Sequence, residues 1–120
     1  MRMLAVFCLS AAVGFAGTWS GYLVNGKCYA SMERNKNPSD TESYVDRDRG
    51  FEIRYCSPNA KTKAFTLVLD DGETLKLDTA GNAKAEELVK NTGKKRYFRV
   101  EVTGVQTKDT VKVDTISAIK

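Results

Sequence analysis

The chain has 120 residues, with 19 Lys and Arg against 15 Asp and Glu, three cysteines and no histidine. A net charge of +4 is ordinary solubilising charge and is not the footprint of a nucleic-acid-binding protein. The absence of histidine excludes histidine-based catalytic triads and removes the commonest zinc and copper ligand.

Residues 1–16 have the pattern of a secretory signal peptide. Arg2 gives a positive start, Leu4–Phe15 is an apolar run, and small residues precede the bond after Ala16. The run is shorter than the ~20 residues that a membrane helix needs. We therefore expect cleavage after Ala16 and a single secreted or periplasmic domain over residues 17–120, without a membrane span. Retention of the segment as an N-terminal anchor is the alternative.

The cysteine pattern predicts one structural disulfide. Cys8 lies inside the segment expected to be removed, which leaves Cys28 and Cys56. Two cysteines in an exported chain most often pair with each other. They lack the Cys-x-x-Cys spacing of redox pairs, so the disulfide is interpreted as structural.

The first half of the domain is predicted as one strand followed by a long excursion. Thr18–Val24 is rich in aromatic and β-branched residues, with Gly21 as a bulge or bend. Asn25-Gly26 then turns the chain. Residues 27–63 are predicted as irregular apart from a short strand over 51–55, in which apolar and polar residues alternate.

The second half alternates clearly enough to predict a register. A three-residue loop of Asp70, Asp71 and Gly72 pairs Leu67 with Leu75 and places both apolar rows on one face. A short helix is predicted over 82–91, with Asn82 as N-cap and Gly93 as its end. Two strands follow, over 97–103 and 110–119, separated by a turn over 104–109. A change of phase along the last strand predicts a bulge at residue 114 or 115.

This order of elements predicts a mostly β fold with one short helix, namely a small five-stranded OB-fold-like barrel with one disulfide. An open β-sandwich is the alternative. The predicted core consists of large apolar residues on the inward faces: Trp19, Leu23, Phe65, Leu67, Leu69, Leu75, Leu77, Leu88, Phe98, Val100, Val102, Val111 and Val113.

Short motifs are spread over most of this domain: Trp19-Ser20-Gly21 with Cys28 soon after it, the run Cys56–Phe65, Asp71-Gly72, the run Leu77–Ala85, Val102-Thr103-Gly104 and Val111-Lys112-Val113. In these motifs the chain resembles small secreted bacterial OB-type β-barrel domains of unknown function. The resemblance implies export and a barrel but supplies no site. Some similar proteins carry a histidine and extra cysteines in the excursion, which this chain lacks, so a metal role of those residues does not transfer.

No catalytic residue and no metal or cofactor site is predicted. The run from Asp46 to Gly50 is similar to the start of a calcium loop, but Arg47 and Arg49 would repel a cation, so a salt-bridged surface turn is preferred. The adjacent carboxylates Asp70 and Asp71 have no apolar surroundings to raise a pKa, and they are interpreted as turn residues. The protein is therefore predicted not to be an enzyme.

The excursion carries the candidate ligand-binding residues, which are aromatic and cationic: Tyr44, Arg47, Arg49, Phe51 and Tyr55. The competing interpretation is that these aromatic residues simply pack the loop onto the barrel. We expect a non-enzymatic, monomeric binding or structural module whose ligand or protein partner is unknown. Binding of single-stranded nucleic acid or oligosaccharide through the barrel face is the alternative. Nucleic acid is disfavoured, because the outward positions predicted for strands two and three include no aromatic residue and one lysine.

Overall fold

The computed structural model describes residues 14–34 and 42–119, with side chains described over 14–33 and 49–119. The predicted signal peptide lies outside the described residues except for its last three positions. The elements are β1 (Phe15–Asn25), α1 (Gly26–Arg34), α2 (Glu42–Tyr55), β2 (Phe65–Leu69), β3 (Thr74–Leu77), α3 (Thr79–Thr92), β4 (Arg99–Thr107) and β5 (Thr110–Ala118).

The five strands close into a barrel in the order β1-β2-β3-β5-β4. All neighbouring pairs are antiparallel except β3 and β5, which run parallel. The predicted five-stranded barrel is confirmed. The prediction of a single helix is corrected, because α1 and α2 lie in the excursion that was expected to be irregular.

Strand β1 belongs to two ladders, and Gly21 lies where they overlap. Residues 15–22 pair with β4, whereas residues 21–25 pair with β2. A Cβ atom at Gly21 would lie 2.5 Å from the carbonyl oxygen of Val68, so the two backbones approach too closely for any side chain there. The residue predicted as a bend is thus required at the point where β1 passes from one neighbour to the other.

The β2–β3 hairpin has the predicted register. Leu67 lies opposite Leu75, and the three-residue loop ends at Gly72 with a positive φ of 94°. That left-handed backbone is readily available to glycine and strained for other residues. Matching the two apolar rows on one face was therefore sufficient to fix the loop length.

The β4–β5 pair confirms one prediction and corrects another. Thr103 pairs with Thr115 while Gly104 pairs with Val113, so Asp114 is the extra residue of a bulge. The predicted turn over 104–109 is wrong, because β4 continues to Thr107. Gly104 serves the bulge instead, since a Cβ atom there would lie 2.1 Å from the carbonyl oxygen of Lys112.

Helix α3 ends at Gly93 as predicted but begins three residues before Asn82. Its N-cap is Asp78, whose Oδ1 accepts hydrogen bonds from the backbone N–H of Gly81 (2.8 Å) and of Val113 (3.1 Å). The side chain of Asn82 instead accepts a hydrogen bond from the backbone N–H of Phe65 at 3.0 Å. Both side chains therefore join α3 to the barrel.

The main hydrophobic core fills the barrel and is closed at one end by α3. All the predicted core residues belong to it, although Trp19, Leu69 and Leu88 are only partly buried at its edge. Ala85 and Val89 of α3 complete the cluster.

The predicted strand over 51–55 is wrong, because these residues form the last turns of α2. The neighbours Glu52 and Ile53 are both buried, whereas Phe51, Arg54 and Tyr55 are exposed. Two adjacent buried residues fit the buried face of a helix. In a strand, the side chains of Glu52 and Ile53 would point to opposite faces of the sheet. The expected surface turn over 46–50 is likewise part of α2.

Candidate ligand-binding surface

A second apolar cluster lies on the outside of the barrel, beneath α1 and α2. Val24 of β1 and Val68 of β2 follow residues that point into the core, so their own side chains point outward. Both are fully buried, because Tyr29 of α1 and Ile53 of α2 cover them. The two helices therefore hide the part of the outer face of β1 and β2 that surrounds Val24 and Val68.

Three contacts fix these helices at their base. Cys28 of α1 forms a disulfide with Cys56, which follows α2, with a Cα–Cα distance of 5.6 Å. The backbone N–H of Asn25 donates to the carbonyl of Cys56 at 2.8 Å. The side chain of Asn25 also accepts from the backbone N–H groups of Lys27 and Cys28. Asn25 therefore caps α1 rather than only forming the predicted turn.

A charged cluster lies between the two helices. Glu52 is 3% exposed and Tyr29 is 4% exposed. Burial raises the pKa of the Tyr29 phenol well above its usual value, and the carboxylates of Glu33 and Glu52 raise it further, while Arg49 opposes them. Tyr29 therefore keeps its proton throughout the physiological range. Arg49 also lies over Gly72 in the β2–β3 loop, so it contacts both the helices and the hairpin.

The outer face of α2 carries two exposed aromatic rings. Phe51 is 49% exposed and Tyr55 is 66% exposed, and their rings stack with centroids 5.7 Å apart and planes 19° apart. The guanidinium of Arg54 lies 5.6 Å from the centroid of Phe51. Two aromatic side chains and a cation are thus presented to solvent on one helical face.

A second aromatic group lies on the outer face of β1 and β4. Tyr22 pairs with Arg99 across the ladder, and the guanidinium lies 5.0 Å from the ring centroid. Tyr97 meets Tyr22 edge-on, with centroids 5.9 Å apart. Two hydrogen bonds of 3.0 and 3.2 Å hold Arg99 to Asp70 and keep the pKa of that carboxyl below its usual value.

The segment before β4 contacts the chain just after α2 and also contains Tyr97 of the second aromatic group. The Ser57 hydroxyl donates to the carbonyl of Lys95, and the backbone N–H of Leu23 donates to the carbonyl of Phe98 at 2.7 Å. Lys95 therefore contacts Ser57, which lies two residues after the end of α2. The side chains of residues 94–97 are exposed. We call the combined region the aromatic–cationic surface, defined by Tyr22, Phe51, Arg54, Tyr55, Lys94, Lys95, Arg96, Tyr97 and Arg99.

The structure does not bring all of the predicted ligand-binding residues together in one place. Phe51 and Tyr55 come together on the exposed face of α2, whereas Arg49 is half-buried against the hairpin. The side chains of Tyr44 and Arg47 lie outside the described residues. Sequence reasoning missed the Tyr22–Tyr97–Arg99 group, and its only signal was the basic run before β4.

Grooves on either side of α1 are a second candidate surface. One, of about 440 Å³, lies between α1, Phe65 and Asn82, and the other, of about 470 Å³, lies between α1 and the β2–β3 loop. Within residues 14–33 and 49–119, whose side chains are described, no three acidic or cysteine side chains cluster in a way that could hold a metal ion. No helix within residues 14–34 and 42–119 is long and apolar enough to cross a membrane.

No protein-family model, no curated protein and no solved structure matches this chain.

Proposed function

We propose that this protein is an exported, non-enzymatic binding module, built on an OB-type barrel, that recognises its ligand through the aromatic–cationic surface. The observation that carries this proposal is the exposed Phe51–Tyr55 pair with Arg54 beside it. Aromatic and arginine side chains dominate the energetics of recognition surfaces, because each covers a large area with few rotatable bonds.

Export is supported by the signal-peptide pattern of residues 1–16 and by the Cys28–Cys56 pair. Disulfides persist in oxidising compartments and are rare in the cytosol. The disulfide holds the base of both helices, and so supports the aromatic face of α2 on a fixed scaffold.

The absence of enzymatic activity is supported by the position of the buried carboxylate. Glu52 lies on the buried face of α2 near Tyr29 and is only 3% exposed, so a ligand in solvent has little access to its carboxyl group. Asp70 is exposed, and Arg99 lowers its pKa, so it is poorly suited to act as a general base near neutral pH.

Binding through the barrel face is less well supported. Val68 is fully buried and Thr66 is 9% exposed, because the helices cover this part of the outer face. The outward side chains of β3 remain open, but Thr74 and Lys76 provide no aromatic ring. The proposal therefore assigns recognition to the helices and the segment before β4.

The test is a binding screen of the purified chain on an array of neutral glycans, acidic glycans, oligothymidylate and peptides. The proposal predicts that at least one class is retained and that Phe51→Ala with Tyr55→Ala abolishes the retention. Glu87→Ala with Asn91→Ala is the matched control, since these residues are exposed on α3 at the same spacing. Retention that survives loss of both rings, or no retention at all, would contradict the proposal.

A further inference from the structure

The charge of the aromatic–cationic surface indicates the class of its ligand. Lys94, Lys95 and Arg96 are consecutive and exposed, and within the described part of the chain none of them forms an ion pair. By contrast, Lys63 and Lys90 both pair with Glu86. The three consecutive cations are thus available to an external anion.

The backbone that carries these cations is linked to the chain just after the aromatic pair of α2. Tyr55 precedes Ser57 by two residues, so their Cα atoms are at most about 7 Å apart. Ser57 in turn bonds the Lys95 carbonyl. A ligand in contact with the rings can therefore reach the cations within a few repeat units of a polymer.

Aromatic rings and cations at this spacing suit a sugar chain that bears carboxylates. The apolar C–H faces of a pyranose lie against the electron-rich faces of aromatic rings. Lysine pairs with a carboxylate as a point charge, whereas arginine can bind it with two hydrogen bonds. Each repeat unit of a uronic-acid polymer offers both features.

We infer that the aromatic–cationic surface binds an acidic polysaccharide, whose sugar rings lie on Phe51 and Tyr55 and whose carboxylates pair with Lys94, Lys95 and Arg96. This inference rests on the proposed function. It favours a glycan over a nucleic acid because the proposed location is outside the cell.

The test compares polygalacturonate with its fully methyl-esterified form, which has the same sugar backbone without the charge. The full chain is titrated with each polymer by calorimetry at about 0.05 M and about 0.5 M salt. We expect the acidic form to bind at least tenfold more tightly, and we expect the higher salt to remove most of that difference because it screens exposed charges.

A charge-reversal variant locates the contact. Lys94→Glu, Lys95→Glu and Arg96→Glu together should weaken polygalacturonate binding by about tenfold or more. The matched control carries Lys84→Glu, Lys108→Glu and Lys112→Glu, which change the net charge equally at exposed positions elsewhere. The control should bind within about threefold of the original chain if contact rather than net charge decides affinity.

The outcomes separate this inference from the proposed function. Equal binding of the methyl ester, with loss on Phe51→Ala and Tyr55→Ala, would overturn the acidic ligand and leave the surface intact. Polygalacturonate binding that is unchanged by Phe51→Ala with Tyr55→Ala would overturn the proposed surface as well as this inference. No binding of polygalacturonate, or equal competition by oligothymidylate, would overturn the inference.

Discussion

Removal of the Cys28–Cys56 disulfide should destabilise the domain strongly without changing its native structure. The disulfide closes a loop with a sequence separation of 28 residues. In the chain-entropy model a loop of that length stabilises the native state by about 3.5 kcal/mol, because it restricts the unfolded chain. For a domain of this size, that loss corresponds to a decrease in Tm of roughly 15–25 °C.

The perturbation is the double substitution Cys28→Ala and Cys56→Ala. Its free energy of unfolding is measured by urea denaturation, with the fluorescence of Trp19 reporting on the edge of the barrel core. The original chain, measured with and without a reductant, is the control. Because Cys56 is 1% exposed, its truncation also removes some packing, and the reduced original chain separates that contribution from the loss of the cross-link.

A loss of less than about 1 kcal/mol would refute the reasoning, because it would mean that the disulfide adds little restriction to the unfolded chain. A biphasic transition would refute it in another way. It would show that the helices separate from the barrel before the barrel unfolds, so that α1 and α2 are not part of one cooperative unit.

Three further predictions follow from single contacts. Asp78→Ala should lower the free energy of unfolding, measured by urea denaturation, by about 2–4 kcal/mol, because one oxygen of Asp78 both caps α3 and accepts a hydrogen bond from β5. Asp78→Asn retains an acceptor oxygen and should recover most of that loss. The pKa of Asp70, followed by carboxyl NMR shifts, should rise to its ordinary value in Arg99→Gln, and an unchanged pKa would exclude the ion pair. Since the folded-state pKa of Asp70 is depressed, the contribution of the ion pair to stability is present above the unfolded-state pKa and is lost as the pH falls through the folded-state pKa. Intact mass of the protein recovered from the secreted or periplasmic fraction should correspond to a chain that starts at Gly17 and lacks two hydrogens, whereas a retained N-terminus or two free thiols would contradict export with a disulfide.

The barrel was predictable where short-range patterns determine the structure. In the β2–β3 hairpin, a three-residue loop places Leu67 and Leu75 on the same face whereas a two-residue turn would not, and the structure has the register of the three-residue loop. In β5, the phase change after Val113 predicts an extra residue, and Asp114 occupies that position. Both inferences needed only the period of a strand and a single turn.

The helices of the excursion were not predictable by the same means. Phe51, Ile53 and Tyr55 alternate with polar residues, which imitates a half-buried strand. The helical pattern becomes visible only when Glu52 is counted among the buried residues, and its burial depends on the environment formed with Tyr29 and Arg49. A carboxylate is rarely so buried, so the sequence pattern placed it at the surface.

The candidate site was only partly predictable for a related reason. Phe51 and Tyr55 were identified as candidates because they are aromatic residues in the excursion, although the secondary structure assigned to them was wrong. The contact between Tyr22 and Arg99 depends on the register of β1 against β4, which are far apart in the sequence. The contact between Tyr22 and Arg99 could therefore be identified only from the structure of the closed barrel.

The location of the binding surface is tested most directly by adding a galacturonate hexamer to the isotope-labelled chain and following the backbone amide resonances. The account predicts chemical-shift changes confined to residues 51–57, 94–99 and Tyr22. Shifts in the grooves beside α1 or along β3, or no shifts at all, would contradict it.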